Sequence, residues 1–167
     1  MRLLILGAGG MANAHAQHFS RIDGVEIVAG VDVNAAQAEA FAARHGIPLF
    51  FTSLDEALDW GDFDAAANVT PDRAHHPTTM QLLAAGKHVF CEKPLATDHA
   101  AAIEMTEAAE QAGLVNMVNL TYRNVAPLQK ARELVLSGAI GTVRHVEASY
   151  KQSWLVSKAW GDWRTEP

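Results

Sequence analysis

The first residues that could do chemistry form a glycine-rich turn near the start of the chain. Gly7, Gly9 and Ala12 give a G-x-G-x-x-A pattern directly after a short apolar run. The first glycine permits a tight turn, the second lets a pyrophosphate approach the backbone, and the third small residue allows close helix packing. Free N–H groups at the start of the following helix attract phosphate charge. The pattern predicts a dinucleotide site, and a glycine turn without a ligand is the alternative.

A carboxylate follows the turn at the distance that such a site requires. Asp32 lies 20 residues after Ala12, at the end of a second apolar run. A carboxylate at that point can accept hydrogen bonds from both ribose hydroxyls of an adenosine. Its neighbours Val33 and Asn34 offer no cation to a 2′-phosphate, so the sequence favours NAD over NADP. The alternative role of Asp32 is to cap the next helix, for which Asn34 is better placed.

The stretch HVFCEKPLATD, residues 88–98, places Glu92, Lys93 and Pro94 together after a buried apolar run. Ligands in open α/β sheets bind at the carboxyl ends of strands, so Lys93 is predicted to share an edge with the glycine turn. A partly desolvated lysine beside a nicotinamide ring can polarise or deprotonate a hydroxyl as a hydride leaves the carbon. Glu92 could orient the lysine, and Pro94 could fix the backbone through a cis bond. A solvated surface turn is the alternative.

Short apolar runs alternate with segments of helical period, which is typical of strands joined by helices in a parallel α/β sheet. The predicted strands cover residues 2–6, 25–31, 49–52, 64–69, 87–91 and 114–119. The predicted helices cover residues 10–21, 35–44, 54–59, 74–85 and 98–112. Ser53 with Glu56 has capping-box spacing, Thr97 can cap the last of these helices, and Gly86 and Gly113 are placed to end two of them. The pattern predicts a Rossmann-type doubly wound sheet.

The strand–helix rhythm changes after residue 120, and we predict a domain boundary there. Residues 1–120 form the Rossmann domain, and residues 121–167 begin a second α/β domain that looks incomplete. A helix is predicted at 128–137 and a β-prone stretch at 143–150. Trp154, Trp160 and Trp163 then have no following element to cover them, although each aromatic side chain normally buries about 150–250 Å². Either a longer chain or a partner subunit is expected to cover this surface.

Composition excludes several classes of protein. The 167 residues are 49% hydrophobic and 19% charged, as in globular proteins and unlike disordered or collagen-like chains. A net charge of −6 gives no basic field, so nucleic acids and anionic membranes are poor candidate partners. The single Cys91 forms no internal disulfide, and no run approaches the roughly 20 apolar residues that cross a bilayer. We therefore expect a cytoplasmic protein.

No metal site is expected, because the histidines lack further ligands to complete a zinc set.

Several blocks together resemble the Gfo/Idh/MocA family of oxidoreductases, the glucose-fructose oxidoreductase and inositol dehydrogenase group. They are the glycine turn with His15, TPDRAH at 70–75, and AGKHVFCEKPLATD at 85–98, of which GKHVFCEKP is the most specific. Residues 121–150 are similar to that family's crossing into its second domain. The resemblance implies an N-terminal Rossmann domain and a C-terminal α/β domain that carries the substrate and forms a homo-oligomer interface. It also implies oxidation or reduction of a hydroxyl of a sugar, polyol or related small molecule.

The resemblance also implies roles for individual residues. Lys93 would be the catalytic or substrate-hydroxyl lysine, and Glu92 its neighbour on the nicotinamide side. The residues expected to line the cofactor or the pocket are Gly10, Met11, Thr70, Pro71, His75, Asn119 and Arg123. The chain departs from the family pattern because no histidine follows Gly161-Asp162 and the rest of a substrate domain is missing. The resemblance therefore predicts that the parent protein is an enzyme and does not extend that prediction to turnover by this chain alone.

Three interpretations follow from the sequence. The first is an NAD-dependent oxidoreductase of which this chain is mainly the cofactor-binding half. The second is a dinucleotide-binding module that senses or scaffolds without turnover, since a Rossmann fold does not by itself imply catalysis. The third, compatible with either, is a structural half that dimerises through an exposed strand at 143–150.

Overall fold

Six parallel strands form one sheet in the computed structural model, which describes residues 1–151 and 153. The strands are β1 (Arg2–Leu6), β2 (Glu26–Val31), β3 (Leu49–Phe51), β4 (Ala65–Asn68), β5 (His88–Cys91) and β6 (Asn116–Val118). Their order in the sheet is β3-β2-β1-β4-β5-β6, and each neighbouring pair is parallel. This is the strand order of the doubly wound Rossmann sheet, and the predicted fold class is confirmed.

Helices connect the strands as predicted, with small changes at their ends. They are α1 (Gly10–Phe19), α2 (Ala35–His45), α3 (Leu54–Trp60), α4 (Asp72–Ala84), α5 (His99–Ala112), a 3-10 turn (Thr121–Asn124) and α6 (Ala126–Leu136). Helix α4 begins two residues before its predicted start. Asp98 caps α5 by accepting a hydrogen bond from the Ala101 N–H, so the predicted cap Thr97 is wrong. The cap must directly precede the first helical residue for its side chain to reach that N–H group. None of the helices in the described ranges has the length and apolar character needed to cross a membrane.

Apolar side chains cover both faces of the central strands. On one face Leu4 and Leu6 pack into a core with Val28 and Leu82. On the other face Ile5 packs with residues that include Ala12, Ala16 and Phe41 from the helices. Strands that are buried on both faces read as continuous apolar runs, as the sequence of β1 does. The two cores hold the strand ends in place, and those ends carry the polar residues of interest.

The chain divides into two compact units, Met1–Thr121 and a second unit from Tyr122 onward. The described part of the second unit contains helix α6, and residues 143–150 do not form a strand there. The prediction of a strand at 143–150 is therefore wrong for this structure, because a β-prone segment becomes a strand only where it finds a pairing partner. Trp154, Trp160 and Trp163 lie outside the described residues.

Gly7 makes the turn between β1 and α1. Its φ is +98°, a conformation that side-chain-bearing residues rarely adopt. A Cβ at this position would lie 2.8 Å from the Val69 carbonyl oxygen, which is backbone and cannot move aside easily. The Gly7 N–H also donates to the Val31 carbonyl at 2.7 Å. The glycine turn therefore packs against the backbone that follows β4, and only glycine fits.

We expect Gly7→Ala to destabilise the domain. Backbone strain alone costs about 1–3 kcal/mol at such positions, and the contact with Val69 adds to it. Gly9→Ala is the matched control, since Gly9 has ordinary φ and nothing within 4 Å of an added Cβ. Its free energy of unfolding should stay within about 0.5 kcal/mol of the parent chain. Urea unfolding of both variants measures the difference, and equal losses would contradict the packing described for Gly7.

Candidate functional site

The parallel sheet brings the predicted site residues to one edge, which we call the carboxyl edge. It is formed by the residues that directly follow β1, β2, β4, β5 and β6. The strand order reverses between β1 and β4, and ligands of open α/β sheets bind at such a switch point. The predicted site residues at this edge are Gly7, Gly9, Gly10, Asp32, Thr70, Pro71, Glu92, Lys93 and Asn119. Arg123 belongs to the second unit.

The glycine turn is open towards solvent at the start of α1. An added Cβ at Gly9 or Gly10 would meet nothing within 4 Å, so the protein itself does not fill that space. Helix α1 has no side-chain cap, so within the described part of the chain no side chain accepts a hydrogen bond from its first N–H groups. Met11 is 52% exposed beside them. A helix start with uncapped N–H groups and a glycine-lined space fits the pyrophosphate of a dinucleotide.

Asp32 connects the end of β2 to the glycine turn. Its Oδ2 accepts a hydrogen bond from the Ala8 N–H at 2.9 Å, and its Oδ1 accepts one from the Asn34 N–H at 2.9 Å. A carboxylate offers about four acceptor positions, so two remain for ribose hydroxyls. Asn34 caps α2 through the Gln37 N–H, which excludes the alternative role for Asp32 as that cap. Val33 beside it is 92% exposed and brings no positive charge.

Glu92 lies at the end of β5 and is 6% exposed. Its Oε1 accepts hydrogen bonds from His15 Nε2 at 2.8 Å and from Asn119 Nδ2 at 2.7 Å. Its Oε2 accepts one from the Lys93 N–H at 3.1 Å. Burial raises the pKa of the Glu92 carboxyl, but the hydrogen bonds from Asn119, His15 and Lys93 outweigh burial and hold its pKa below the ordinary value. An ionised carboxylate only accepts, so His15 Nε2 carries the hydrogen.

Lys93 points away from this buried cluster. Its side chain is exposed, and among the described residues its ammonium has no hydrogen-bond or ion-pair partner. Glu92 therefore acts on Lys93 through the backbone N–H and not through the ammonium. The Lys93–Pro94 peptide bond is cis, one of the options that the sequence left open. The lysine head group is available to a ligand at the carboxyl edge.

His75 is completely buried below the same edge and does not reach its surface. Its Nδ1 lies 2.6 Å from the Pro94 carbonyl oxygen, and its Nε2 lies 2.8 Å from the Thr70 carbonyl oxygen. Its ring thus joins the loop after β4 to the loop after β5. Pro71 is exposed at the start of α4, and Thr70 is half-buried.

Asn68 is a functional candidate that the sequence reasoning missed. It is completely buried at the end of β4, where its Oδ1 accepts from the Thr70 hydroxyl at 2.7 Å. Its Nδ2 donates to the hydroxyls of Thr78 at 2.8 Å and Thr79 at 3.0 Å on α4. The signal was available, because asparagine ends the otherwise apolar strand AAAN. Asn68 fixes the loop that carries Thr70.

Cys91 is buried in the core on one face of the sheet. Burial raises the pKa of the Cys91 thiol to about 12, so it stays neutral at ordinary pH. Within residues 1–151 and 153, no cluster of three or more His, Cys, Asp or Glu side chains could hold a metal ion.

Known proteins share the fold and the sequence pattern of this chain. A family model described as an oxidoreductase family with an NAD-binding Rossmann fold matches residues 1–120. Glucose-6-phosphate 3-dehydrogenase of Bacillus subtilis (strain 168) is 29% identical over 162 residues, covering 97% of this chain and 45% of that protein. Inositol 2-dehydrogenase of Leifsonia xyli subsp. xyli is 34% identical over 174 residues, covering 94% of this chain and 49% of that protein.

A solved structure is similar over the same region. Scyllo-inositol dehydrogenase from Lactobacillus casei, with bound NAD(H) and scyllo-inositol, matches with a TM-score of 0.79 at 27% identity. The match covers 84% of this chain and 42% of that one. The chain spans less than half the length of each of these three relatives.

We expect Glu92→Gln to destabilise the chain in a pH-dependent way. At neutral pH the amide oxygen can keep the hydrogen bonds from His15 and Asn119, but the amide NH2 then faces the Lys93 N–H, and two opposed donors cost about 1–3 kcal/mol. Because the pKa of Glu92 is lowered on folding, its stabilising contribution is present above its ordinary pKa and is lost as pH falls through the folded value.

The difference in free energy of unfolding between the parent chain and Glu92→Gln should therefore be largest above about pH 5 and shrink towards pH 3. Urea unfolding at several pH values measures it. Glu39→Gln, at an exposed position on α2, is the control for removing a carboxylate without a buried hydrogen bond. A difference that is constant with pH would contradict an ionised, hydrogen-bonded Glu92.

Proposed function

The chain belongs to the Gfo/Idh/MocA family of oxidoreductases, as its sequence blocks indicated, and we propose that it is the cofactor-binding part of an NAD-dependent dehydrogenase. One observation carries the proposal. The carboxyl edge combines an open glycine turn at Gly9, the ribose-side carboxylate of Asp32, and the ammonium of Lys93, which has no partner among the described residues. A dinucleotide and a hydroxyl-bearing substrate need these three features at a single site.

In this proposal, different residues of the carboxyl edge bind different parts of the cofactor. The N–H groups of Gly9, Gly10 and Met11 hold the pyrophosphate, and Asp32 accepts from the adenosine ribose. Thr70 and Pro71 lie on the nicotinamide side. Asn119 lies there too, at the end of β6. When bound, the nicotinamide supplies the hydride acceptor or donor.

Lys93 moves the proton in the proposed reaction. In the oxidative direction the neutral amine of Lys93 takes the proton of the substrate hydroxyl and becomes the ammonium, and in the reductive direction the ammonium returns that proton to the carbonyl oxygen. Glu92, through the Lys93 N–H, fixes the backbone from which the side chain extends. His15 and Asn119 keep Glu92 in place.

The substrate class is a sugar, a polyol or a related small molecule. Two relatives named for inositol and one for glucose 6-phosphate support this class. Residues from 121 onward begin the substrate domain in this proposal, with Arg123 facing its pocket and homo-oligomers forming through that domain. A cytoplasmic location accords with the buried, unpaired Cys91.

We expect NADH to stabilise the chain against thermal unfolding more than NADPH does at matched concentrations. At about a hundred times its Kd, NADH should add roughly 2.7 kcal/mol. Asp32→Ala should lower the ratio of the NADPH Kd to the NADH Kd by about tenfold, the equivalent of 1.4 kcal/mol. The ratio is the readout because Asp32 also holds Ala8 and Asn34, so the variant changes overall stability. An unchanged ratio would remove Asp32 from cofactor selection.

We expect Lys93→Ala to leave the Kd for NADH within about twofold and to lower kcat by about 10²–10⁴, the usual contribution of a positioned acid–base group. Turnover is measured with the intact protein, NAD⁺, and a panel of inositols and glucose 6-phosphate. Lys130→Ala, an exposed lysine of α6 paired with Glu133, is the control and should keep kcat. A Lys93→Ala protein with unchanged kcat would favour the non-catalytic, cofactor-sensing interpretation.

A further inference from the structure

The contacts of His75 assign it a role that the sequence did not. Its ring lies between two carbonyl oxygens, that of Pro94 at 2.6 Å from Nδ1 and that of Thr70 at 2.8 Å from Nε2. We propose that His75 is a positioning residue that clamps together the two loops of the nicotinamide half of the site. The proposal rests on the proposed function. It makes binding of the nicotinamide part of the cofactor depend on His75, a buried side chain that does not contact the cofactor itself.

The two contacts restrict which hydrogens the His75 ring can carry. A carbonyl oxygen only accepts hydrogen bonds, so each of the two ring nitrogens needs its own hydrogen. A neutral imidazole has one N–H and an imidazolium has two. The doubly protonated ring therefore satisfies both carbonyls at once, while a neutral ring would hold one loop and leave the other facing a lone pair. In the proposed clamp the ring donates one hydrogen from each nitrogen.

The clamp lies on one half of the carboxyl edge. Strands β4 and β5 are direct neighbours, with Asn68 paired to Cys91 at their ends. Thr70 and Pro94 follow these two ends, whereas Asp32 follows β2 on the other side of β1. The two halves of a doubly wound sheet each hold one mononucleotide, so the loops joined by His75 serve the half opposite to the adenosine.

Lys93 stands between two anchors. On its N-terminal side the Glu92 carboxylate accepts from the Lys93 N–H at 3.1 Å. On its C-terminal side the Pro94 carbonyl contacts His75. The backbone of Lys93 is held from both directions, and the exposed side chain is the part that can move. Loss of His75 removes one anchor, and neither of its two hydrogen bonds involves Gly9, Gly10 or Asp32.

The test compares two ligands that differ only in the half that the clamp serves. ADP-ribose has the adenosine and pyrophosphate of NADH but lacks the nicotinamide, so the ratio of its Kd to that of NADH isolates the nicotinamide half. Calorimetric titration of the parent chain should give a ratio well above 1. For His75→Phe we expect the ADP-ribose Kd to stay within about twofold and the ratio to fall by about tenfold, or 1.4 kcal/mol.

Two further variants sharpen the result. His75→Gln has an amide NH2 at one end and a carbonyl oxygen, which cannot donate, at the other, so it can hold one of the two backbone carbonyls and should give an intermediate ratio. His76→Gln is the matched control, because His76 is the next residue on α4 and bonds instead to Glu104 of α5 at 2.8 Å. The ratio for His76→Gln should equal that of the parent chain.

The outcomes separate this proposal from the proposed function. A parent chain that binds neither ligand contradicts the proposed function. If the parent chain binds both ligands, a ratio of the ADP-ribose Kd to the NADH Kd near 1 overturns the clamp. The clamp is also overturned if the His75 variants keep the parent ratio or weaken the binding of both ligands equally. If His75→Phe does not fold, ¹⁵N NMR of the His75 ring in the parent chain decides. Two N–H groups support the clamp and one N–H group overturns it.

Discussion

The candidate site depends on one buried charge, the carboxylate of Glu92. A buried carboxylate is tolerated only where hydrogen bonds replace the water it has lost. Its donors come from α1 through His15, from the end of β6 through Asn119, and from the backbone of Lys93. The charge therefore requires α1, β5 and β6 to meet at one point. Lys93, the next residue, is then fixed at its backbone and exposed at its head group.

On the opposite half of the carboxyl edge, contacts to backbone groups hold the glycine turn in place, whereas side-chain hydrogen bonds hold the Glu92 half. Gly7 has a backbone conformation suited to glycine and packs against the Val69 carbonyl, so β1 and β4 meet closely at the switch point. Asp32 accepts from Ala8 and so holds the turn from the side of β2. The same carboxylate keeps acceptor positions for a ribose. Residues that build the turn are thus also the residues that we propose to face the cofactor, so in this proposal fold and binding share one set of contacts.

Sequence reasoning predicted the sheet because short, continuous apolar runs alternate along the chain with longer segments of helical period. The glycine turn, Asp32 and Lys93 were identifiable because their roles depend on short spacings and on their position after a strand. Asn68 was missed although it ends an apolar strand, and His15 was not assigned a role because that role depends on a contact across the fold. His15 meets Glu92 across 77 positions of the chain, and no local pattern encodes that distance. His75 was expected to line the cofactor, but it is completely buried. Its ring instead contacts two backbone carbonyls, and residue type alone does not specify such contacts.

The most direct test of the account is the position of NADH on the chain, measured by amide chemical-shift changes in ¹H–¹⁵N spectra of the labelled protein. The account expects the changes to concentrate at the carboxyl edge, at Gly9, Gly10, Asp32, Thr70 and Lys93. Gly24, Gly46 and Gly113 lie outside that edge and should stay unchanged. Changes centred on these three glycines, or none at saturating NADH, would contradict a cofactor site at the carboxyl edge.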